Sequence, residues 1–243
     1  MVKKTKKYLR KKRQMTHKNI HNKLPNVIFD RYGQKFEKVS RHDKSFDNNI
    51  YTRESHNCYT YYLNKKSGEA FALCKKDFAK HSMCRRPQPG YASGYPKLTP
   101  QDYNCNEIVK RTLADNPHIR VITEQEAKEI GCNMDEYMGA VVVAPKYDYH
   151  YYRMNDDGQW THKPGYKPST HLDADNNIIV NPKYANRKYS KRLNYKNFCT
   201  FTCLPRSSNK KSMSHEYAYR RVGGKNRKSK TTKNKTLKKK ETK

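Results

Sequence analysis

The pattern of hydrophobic and polar positions predicts helices in the first part of the chain and strands after them. Polar residues 55–57 precede a segment rich in Tyr and Leu, so a helix is expected to start near residue 57. A second helix has Thr99 as its N-cap and Pro100 at its first position, and it ends at Asn116-Pro117. A third helix follows, with a capping box at its start and Gly131 at its end.

The strand signal begins after these helices. Residues 140–144 form a continuous run of small and β-branched residues, which is typical of a buried central strand. Two strand-like segments then flank residues 155–158, Asn-Asp-Asp-Gly, whose residue types favour a hairpin turn. Residues 27–29, 178–180 and 198–203 could add strands. The order predicts an α+β fold, with N-terminal helices packed on a mostly antiparallel sheet.

Charge divides the chain into three parts. Residues 1–23 contain ten Lys or Arg and no acid, and residues 206–243 contain fifteen against two Glu. Of the net charge of +31, about +8 remains for residues 24–205. We expect one globular domain in that middle part, between two basic arms whose few apolar residues cannot offset the entropy cost of ordering.

The two arms are predicted to bind nucleic acid or another polyanion through counterion release. DNA and RNA are not distinguished by this pattern, and nuclear import or contact with an anionic membrane are alternatives. The arms could also serve solubility alone. The residues expected to contact phosphates are Lys3, Lys4, Lys6, Lys7, Arg10, Lys11, Lys12, Arg13, Lys225, Arg227, Lys228, Lys230, Lys238, Lys239 and Lys240.

Cysteine usage and hydropathy bear on the compartment. Seven cysteines without a repeating spacing favour free thiols over a disulfide framework, and no close pair predicts a metal site. Neither a long apolar run nor a secretory signal is found in the sequence. The expected location is therefore a reducing compartment, the cytoplasm or nucleus, and the protein is not expected to be secreted or to span a membrane.

Cys58 is the candidate nucleophile. It would lie in the first turn of the helix that starts near residue 57, where unpaired N–H groups and the helix dipole favour a thiolate. Residues 87–96 are rich in Gly and Pro, and this loop could form the wall of a cleft.

A cysteine nucleophile needs a base and usually a third group that orients the base. Strand alternation puts His150 on one face with Tyr152 and Met154, so His150 is the favoured base and His162 is the alternative. Asp173 is the favoured orienting carboxylate, and Asp175 is the second candidate. The oxyanion would be met by the Cys58 backbone N–H and a nearby side chain, for which Asn57 is the candidate.

Five sequence blocks resemble uncharacterised proteins of giant DNA viruses related to mimivirus and of some bacteria. The blocks are NCYTYYL at 57–63, PQPGY at 87–91, DYHYYR at 148–153, WTHKPG at 160–165 and FCTFTC at 198–203. The resemblance covers about residues 50–205 and implies a viral origin, with location in a virion or the host cell. It implies no activity.

The order of a cysteine on a helix and a histidine on a later strand is similar to that of papain-like cysteine hydrolases. That likeness implies a papain-like topology and cleavage of an amide or isopeptide bond in a protein or peptide substrate, without cofactor or metal. The alternative is a non-enzymatic basic protein that binds or packages nucleic acid in a virion.

Overall fold

The computed structural model describes residues 27–29, 35–37, 39–40, 44–81, 83–213 and 215–216. The phosphate-contacting residues predicted in both arms lie outside this described part. The described helices are α1 (Lys44–Asp47), α2 (Ile50–Ser55), α3 (Cys58–Tyr62), α4 (Gly68–His81), α5 (Cys105–Asp115) and α6 (Glu124–Glu129), with short 3₁₀ helices at Pro100–Asp102 and Ser208–Lys210.

The described strands build one main sheet and two strand pairs. They are β1 (Val27–Phe29), β2 (Lys35–Glu37), β3 (Arg86–Pro87), β4 (Arg120–Ile122), β5 (Glu136–Ala144), β6 (Asp148–Met154), β7 (Trp160–Thr161), β8 (Asn197–Pro205) and β9 (His215–Glu216). The main sheet has five strands in the order β4-β8-β5-β6-β7, and its neighbours are all antiparallel. β1 pairs with β2, and β3 pairs with β9.

The predicted α+β class is confirmed, with α1 to α4 preceding the sheet. β5 is central and fully buried, because alternate residues pack on both faces. Val141 and Val143 join the core beneath α3 and α5, whereas Ala140 and Val142 join a second core with Trp160.

Tyrosines carry much of the packing between α3 and the sheet. The rings of Tyr59 and Tyr62 lie 5.3 and 4.7 Å from the ring of Tyr151 on β6. The hydroxyl of Tyr62 hydrogen-bonds to Thr202 Oγ1 at 2.8 Å. Each ring therefore adds apolar area while its buried hydroxyl finds a polar partner.

Two helix predictions had different outcomes. Thr123 and Glu126 form the expected capping box at the start of α6. The single helix predicted from Thr99 is instead a 3₁₀ turn followed by α5, because Asn104 accepts a hydrogen bond from the Glu107 backbone N–H and starts a new helix.

The strand predictions over 140–144, 149–154 and 198–203 are confirmed within longer strands. The predictions over 178–180 and 159–163 are not confirmed in full. Residues 178–180 form no strand, since Ile178 makes an isolated bridge to Leu172. The segment 159–163 is reduced to the two residues of β7, followed by a bridge from His162 to Thr170. The folded unit also continues past residue 205, since Lys211 is buried and its Nζ donates to the Arg206 carbonyl.

The expectation of free thiols is wrong for six of the seven cysteines. Cys74 pairs with Cys84, Cys105 with Cys199, and Cys132 with Cys203. Two of these links join partners 94 and 71 residues apart, so sequence spacing could not reveal them. Among the described residues, no helix is long and apolar enough to span a bilayer.

Gly139 allows α3 to lie close to the sheet, and its replacement should separate them. A Cβ at this position would stand 2.3 Å from Tyr62 Cε2 and 2.7 Å from Leu204 Cδ1. We expect Gly139→Ala to destabilise the fold by about 1–3 kcal/mol through overpacking, measured by urea unfolding. Gly68→Ala is the control, because nothing lies within 4 Å of its Cβ position. Equal stability of the two variants would contradict close packing at Gly139.

Candidate active site

Cys58 lies at the start of α3, as the sequence predicts. The Oδ1 of Asn57 accepts from the Thr60 backbone N–H at 3.3 Å and caps the helix. The Cys58 side chain is 6% exposed, and within the described part of the chain it is the cysteine outside the disulfides. A thiol is therefore held at a helix start while the other cysteines are oxidised.

The two histidines meet across the β6–β7 hairpin. His150 Nε2 lies 2.7 Å from His162 Nδ1, and both rings are buried. His162 Nε2 lies 2.9 Å from the Leu172 carbonyl oxygen. The two bonds form one chain that runs from a backbone carbonyl to His150.

This chain determines where the protons are. A carbonyl can only accept, so His162 Nε2 carries the proton and donates to Leu172. Neutral His162 then has an unprotonated Nδ1, which accepts from His150 Nε2–H. The remaining nitrogen of His150, Nδ1, is left with its lone pair, as a general base requires.

Cys58 and His150 line the same cleft, which has a volume of about 320 Å³. β7 pairs only with Arg153 and Met154 of β6, so the edge of β6 near His150 is not covered by that strand. At this edge the Cys58 sulfur accepts a hydrogen bond from the backbone N–H of Tyr151, the residue after His150. Among the described residues, no hydrogen bond joins the sulfur to an imidazole, and catalytic hydrogen bonds commonly tighten only when substrate is bound.

The Gly/Pro-rich loop contributes Gln88 and Tyr91 to the cleft. The Asp115 carboxylate holds this loop by accepting from the backbone N–H groups of Gly90 and Ser93 at 2.7 and 2.8 Å. Gly90 has φ of 91°, and a Cβ there would stand 2.9 Å from the Cβ of Tyr95. Glycine is therefore required for this wall to approach so closely.

Burial keeps the site uncharged. It raises the pKa of the Cys58 thiol, and the Asp148 carboxylate raises that pKa further. The expectation that the helix start lowers the thiol pKa is wrong, because desolvation outweighs the field of a five-residue helix. Burial, together with His162, holds the pKa of His150 well below its ordinary value, and burial lowers the pKa of His162 to about 4. At neutral pH the site contains a thiol and two neutral imidazoles.

Asp173, the predicted orienting carboxylate, favours the charged form of His162 by Coulomb attraction, and its recorded hydrogen bonds go to backbone N–H groups. Its Oδ1 accepts from the backbone N–H groups of Asp175 and Asn177, both at 2.9 Å, and its Oδ2 accepts from that of Asn186 at 3.0 Å. Asp173 thus stabilises a loop behind His162. The group that contacts His150 directly is His162, which the sequence offers only as an alternative base.

Asn57 is also committed elsewhere, since its Nδ2 donates to the Pro87 carbonyl at 2.8 Å. This leaves the Cys58 backbone N–H, at the first position of α3, as one donor for an oxyanion. Gln88 is, with Asn57, an amide side chain in the cleft wall. Tyr149 Oη donates to Gln88 Oε1 at 2.5 Å, and Gln88 Nε2 lies 3.5 Å from the Arg86 carbonyl oxygen, so that one of its two N–H groups remains for another acceptor. Gln88 was missed because it comes 30 residues after Cys58, although it lies in the PQPG block.

A metal-ligand arrangement occurs away from the cleft. The ligand atoms of Cys132, Glu136 and Cys203 lie within 4.8 Å of one another. The two sulfurs are bonded to each other, and both Glu136 oxygens accept from Arg120, at 3.0 and 2.7 Å. These contacts account for the cluster without an ion.

Comparison with known proteins gives one informative match. No family model matches the chain, and no solved structure gives a significant match. A curated protein, "Insoluble matrix shell protein 1" of Ruditapes philippinarum, is 31% identical over 134 residues, which cover 54% of this chain and 70% of the relative. The chain belongs to the family of this shell matrix protein. The resemblance to giant-virus proteins and the likeness to papain-like hydrolases stay predictions.

The buried histidines predict a loss of stability in acid. His162 titrates near 6.5 when unfolded and at about 4 when folded, so the unfolded chain binds more protons between these values. Stability should be complete above pH 6.5 and should fall, by on the order of 3 kcal/mol from this group, as the pH drops to about 4.

Urea unfolding at pH 7.5, 6 and 5 measures this change. His162→Gln should show a shallower fall than the native chain, and His118→Gln, at an exposed histidine, should match the native chain. If the free energy of unfolding of His162→Gln fell with pH as steeply as that of the native chain, His162 would not be the group responsible for the loss.

Proposed function

We propose that the protein is a cysteine hydrolase that cleaves amide or isopeptide bonds through an acyl-thioester. The observation that carries the proposal is the chain of hydrogen bonds that leaves His150 Nδ1 unprotonated, in a residue that lines the same cleft as Cys58. Cys58 is the nucleophile, His150 is the base, and His162 orients the base. Papain-like hydrolases are the class with a similar order of residues.

The reaction follows from the neutral resting state. The Cys58 proton passes to His150 Nδ1 while the sulfur bonds to the substrate carbonyl carbon. The Cys58 backbone N–H and Gln88 Nε2 are the donors for the oxyanion. His150 then gives the proton to the departing amine as the carbon–nitrogen bond breaks. Water, deprotonated by the same imidazole, attacks the thioester, releases the acid and restores the thiol.

His162 supports the step in which His150 becomes charged. Its Nδ1 accepts from His150 Nε2–H throughout, and this bond strengthens when His150 is an imidazolium.

The hydrolase is tested by labelling with chloroacetamide under non-reducing conditions. Cys58 should be modified once per chain, and His150→Asn should slow labelling about 10²–10⁴-fold because the base is lost while an amide donor to His162 remains. His118→Asn is the control. In urea, which unfolds the chain and removes the effect of the site on Cys58, all three proteins should be labelled at the same rate.

Turnover is measured with a small activated acyl ester. A mass increase on the Cys58 peptide, followed by release of acid, is expected for the native chain and not for Cys58→Ala. Folded protein that labels at equal rates with and without His150, and forms no acyl-enzyme, would refute the hydrolase.

A second candidate is a non-enzymatic structural protein that binds polyanions. Its family relationship to a shell matrix protein and its net charge of +31 favour this function. Three disulfides are typical of proteins that mature in oxidising surroundings, among them extracellular space and virion surfaces. We propose that this protein matures in oxidising surroundings, whether it is a hydrolase or a structural protein. A viral origin stays part of the hydrolase proposal.

Polyanion binding is tested by removing residues 1–23 and 217–243, which leaves every described residue in place. Affinity for duplex DNA should be lost, and the steep salt dependence with it, because most phosphate-neutralising charges are removed. Lys191→Gln with Lys196→Gln, at exposed positions of the folded part, is the control and should weaken binding little. Unchanged salt-dependent affinity after truncation would exclude the arms as the binding element.

A further inference from the structure

Lys163 is a fully buried cation next to the cleft. Its Nζ donates to the carbonyls of Arg53 and Gly165, both at 2.8 Å. Gly165 lines the cleft together with Cys58, and Arg53 belongs to α2, the helix that precedes Cys58 in the chain. The two hydrogen bonds therefore hold the amine against the cleft wall and the segment that leads into α3. An ammonium has three N–H groups, so one remains.

Strand alternation brings Lys163 to the side of the sheet on which α3 lies. Thr161 Oγ1 accepts from Tyr61 Oη of α3 at 3.0 Å, and His162 lies on the other side, where it meets His150. Lys163 is on the side of Thr161 again, as its contact with α2 shows. The amine and the thiol are thus on the same side of the sheet.

The acids that attract Lys163, Asp47 and Glu54, have other partners. The Asp47 carboxylate accepts from the Ser169 backbone N–H and hydroxyl at 3.0 and 2.6 Å, and Glu54 Oε2 lies 3.2 Å from Arg86 Nη2. Within the described part of the chain, no salt bridge joins Lys163 to a carboxylate. A buried charge without an ion partner is costly, so the charged amine favours any nearby group that can become negative.

Lys163 and Cys58 influence each other's protons. Burial lowers the pKa of Lys163 to about 7 and the Arg86 charge adds to this fall, whereas the two acids and Cys58 oppose it. Burial raises the pKa of the Cys58 thiol, Asp148 adds to the rise, and Lys163 opposes it. Lys163 therefore gains or loses its charge near neutral pH, and its charged form is the one that attracts a negative sulfur.

We propose that the Lys163 ammonium is the counter-charge of the Cys58 thiolate. The inference rests on Cys58 as the nucleophile of the proposed hydrolase, and it adds the group that stabilises the negative sulfur. The proton of Cys58 still passes to His150 Nδ1, while Lys163 keeps its own three protons and its two carbonyl contacts. The ammonium is in place before the sulfur becomes negative, so no reorganisation is needed at that moment.

The test measures how the labelling of Cys58 by chloroacetamide, a neutral reagent, depends on pH in the full chain. Lys163→Met replaces the amine by an uncharged side chain of similar length. At pH 6, where most of the native Lys163 is charged, labelling of the variant should be about 10- to 100-fold slower, because a nearby opposite charge is lost. At pH 9 the native amine is mostly neutral as well, so the two rates should differ by less than about threefold. Loss of the two hydrogen bonds alone would change the rate by the same factor at both pH values.

Two further variants complete the experiment. Lys163→Arg keeps its charge at both pH values, so it should match the native rate at pH 6 and exceed it about tenfold at pH 9. It also retains donors for both carbonyls, which keeps the comparison possible if Lys163→Met does not fold. Lys167→Met, at an exposed lysine of the same segment, should match the native chain at both pH values.

The proposal is overturned if the ratio of native to Lys163→Met rates is the same at pH 6 and pH 9, or if Lys163→Arg is labelled no faster than the native chain at pH 9. A ratio that falls with pH in a protein that forms no acyl-enzyme would refute the hydrolase and leave Lys163 as the counter-charge of the thiol. Acyl-enzyme formation with a constant ratio would refute the role of Lys163 alone.

Discussion

The candidate site depends on one buried cation. Arg153 of β6 is fully buried, and its Nη1 donates to the Tyr61 carbonyl at 2.9 Å while its Nη2 donates to the Ser40 carbonyl at 2.8 Å. Its guanidinium lies 3.7 Å from the ring centroid of Tyr61. The Tyr61 carbonyl is near the C-terminal end of α3, where unpaired carbonyls favour a positive charge. Arg153 thus connects α3, which carries Cys58, to β6, where His150 lies three residues before Arg153.

Local signals predicted the parts of the fold that local chemistry determines. Asn57 caps α3, the Thr123–Glu126 box starts α6, and the apolar run at 140–144 becomes the centre of β5. Helix α4 received no prediction, because Lys75, Lys76 and Asp77 interrupt its weakly apolar face. The disulfides join residues that only the folded chain brings together, so spacing gave the wrong expectation.

The sequence singled out two residues that line one cleft, Cys58 and His150, but not the contacts around them. Alternation along β6 correctly assigns its faces: Cys58 packs with Tyr149 and Tyr151 on one face, whereas the His150 ring contacts Tyr152 and Tyr195 on the other. The contact between His150 and His162 depends on how the hairpin twists, which residue types do not reveal. Asp173 has the residue type expected of an orienting group, yet three backbone N–H groups occupy its carboxylate.

The pairing of β9 with β3 places the start of the C-terminal basic segment next to the cleft. Glu216 is the register partner of Arg86, so the last described residues lie beside the cleft wall. Because Pro87 follows Arg86 and accepts a hydrogen bond from Asn57, this strand pair connects the end of the described chain to the helix start that holds the thiol.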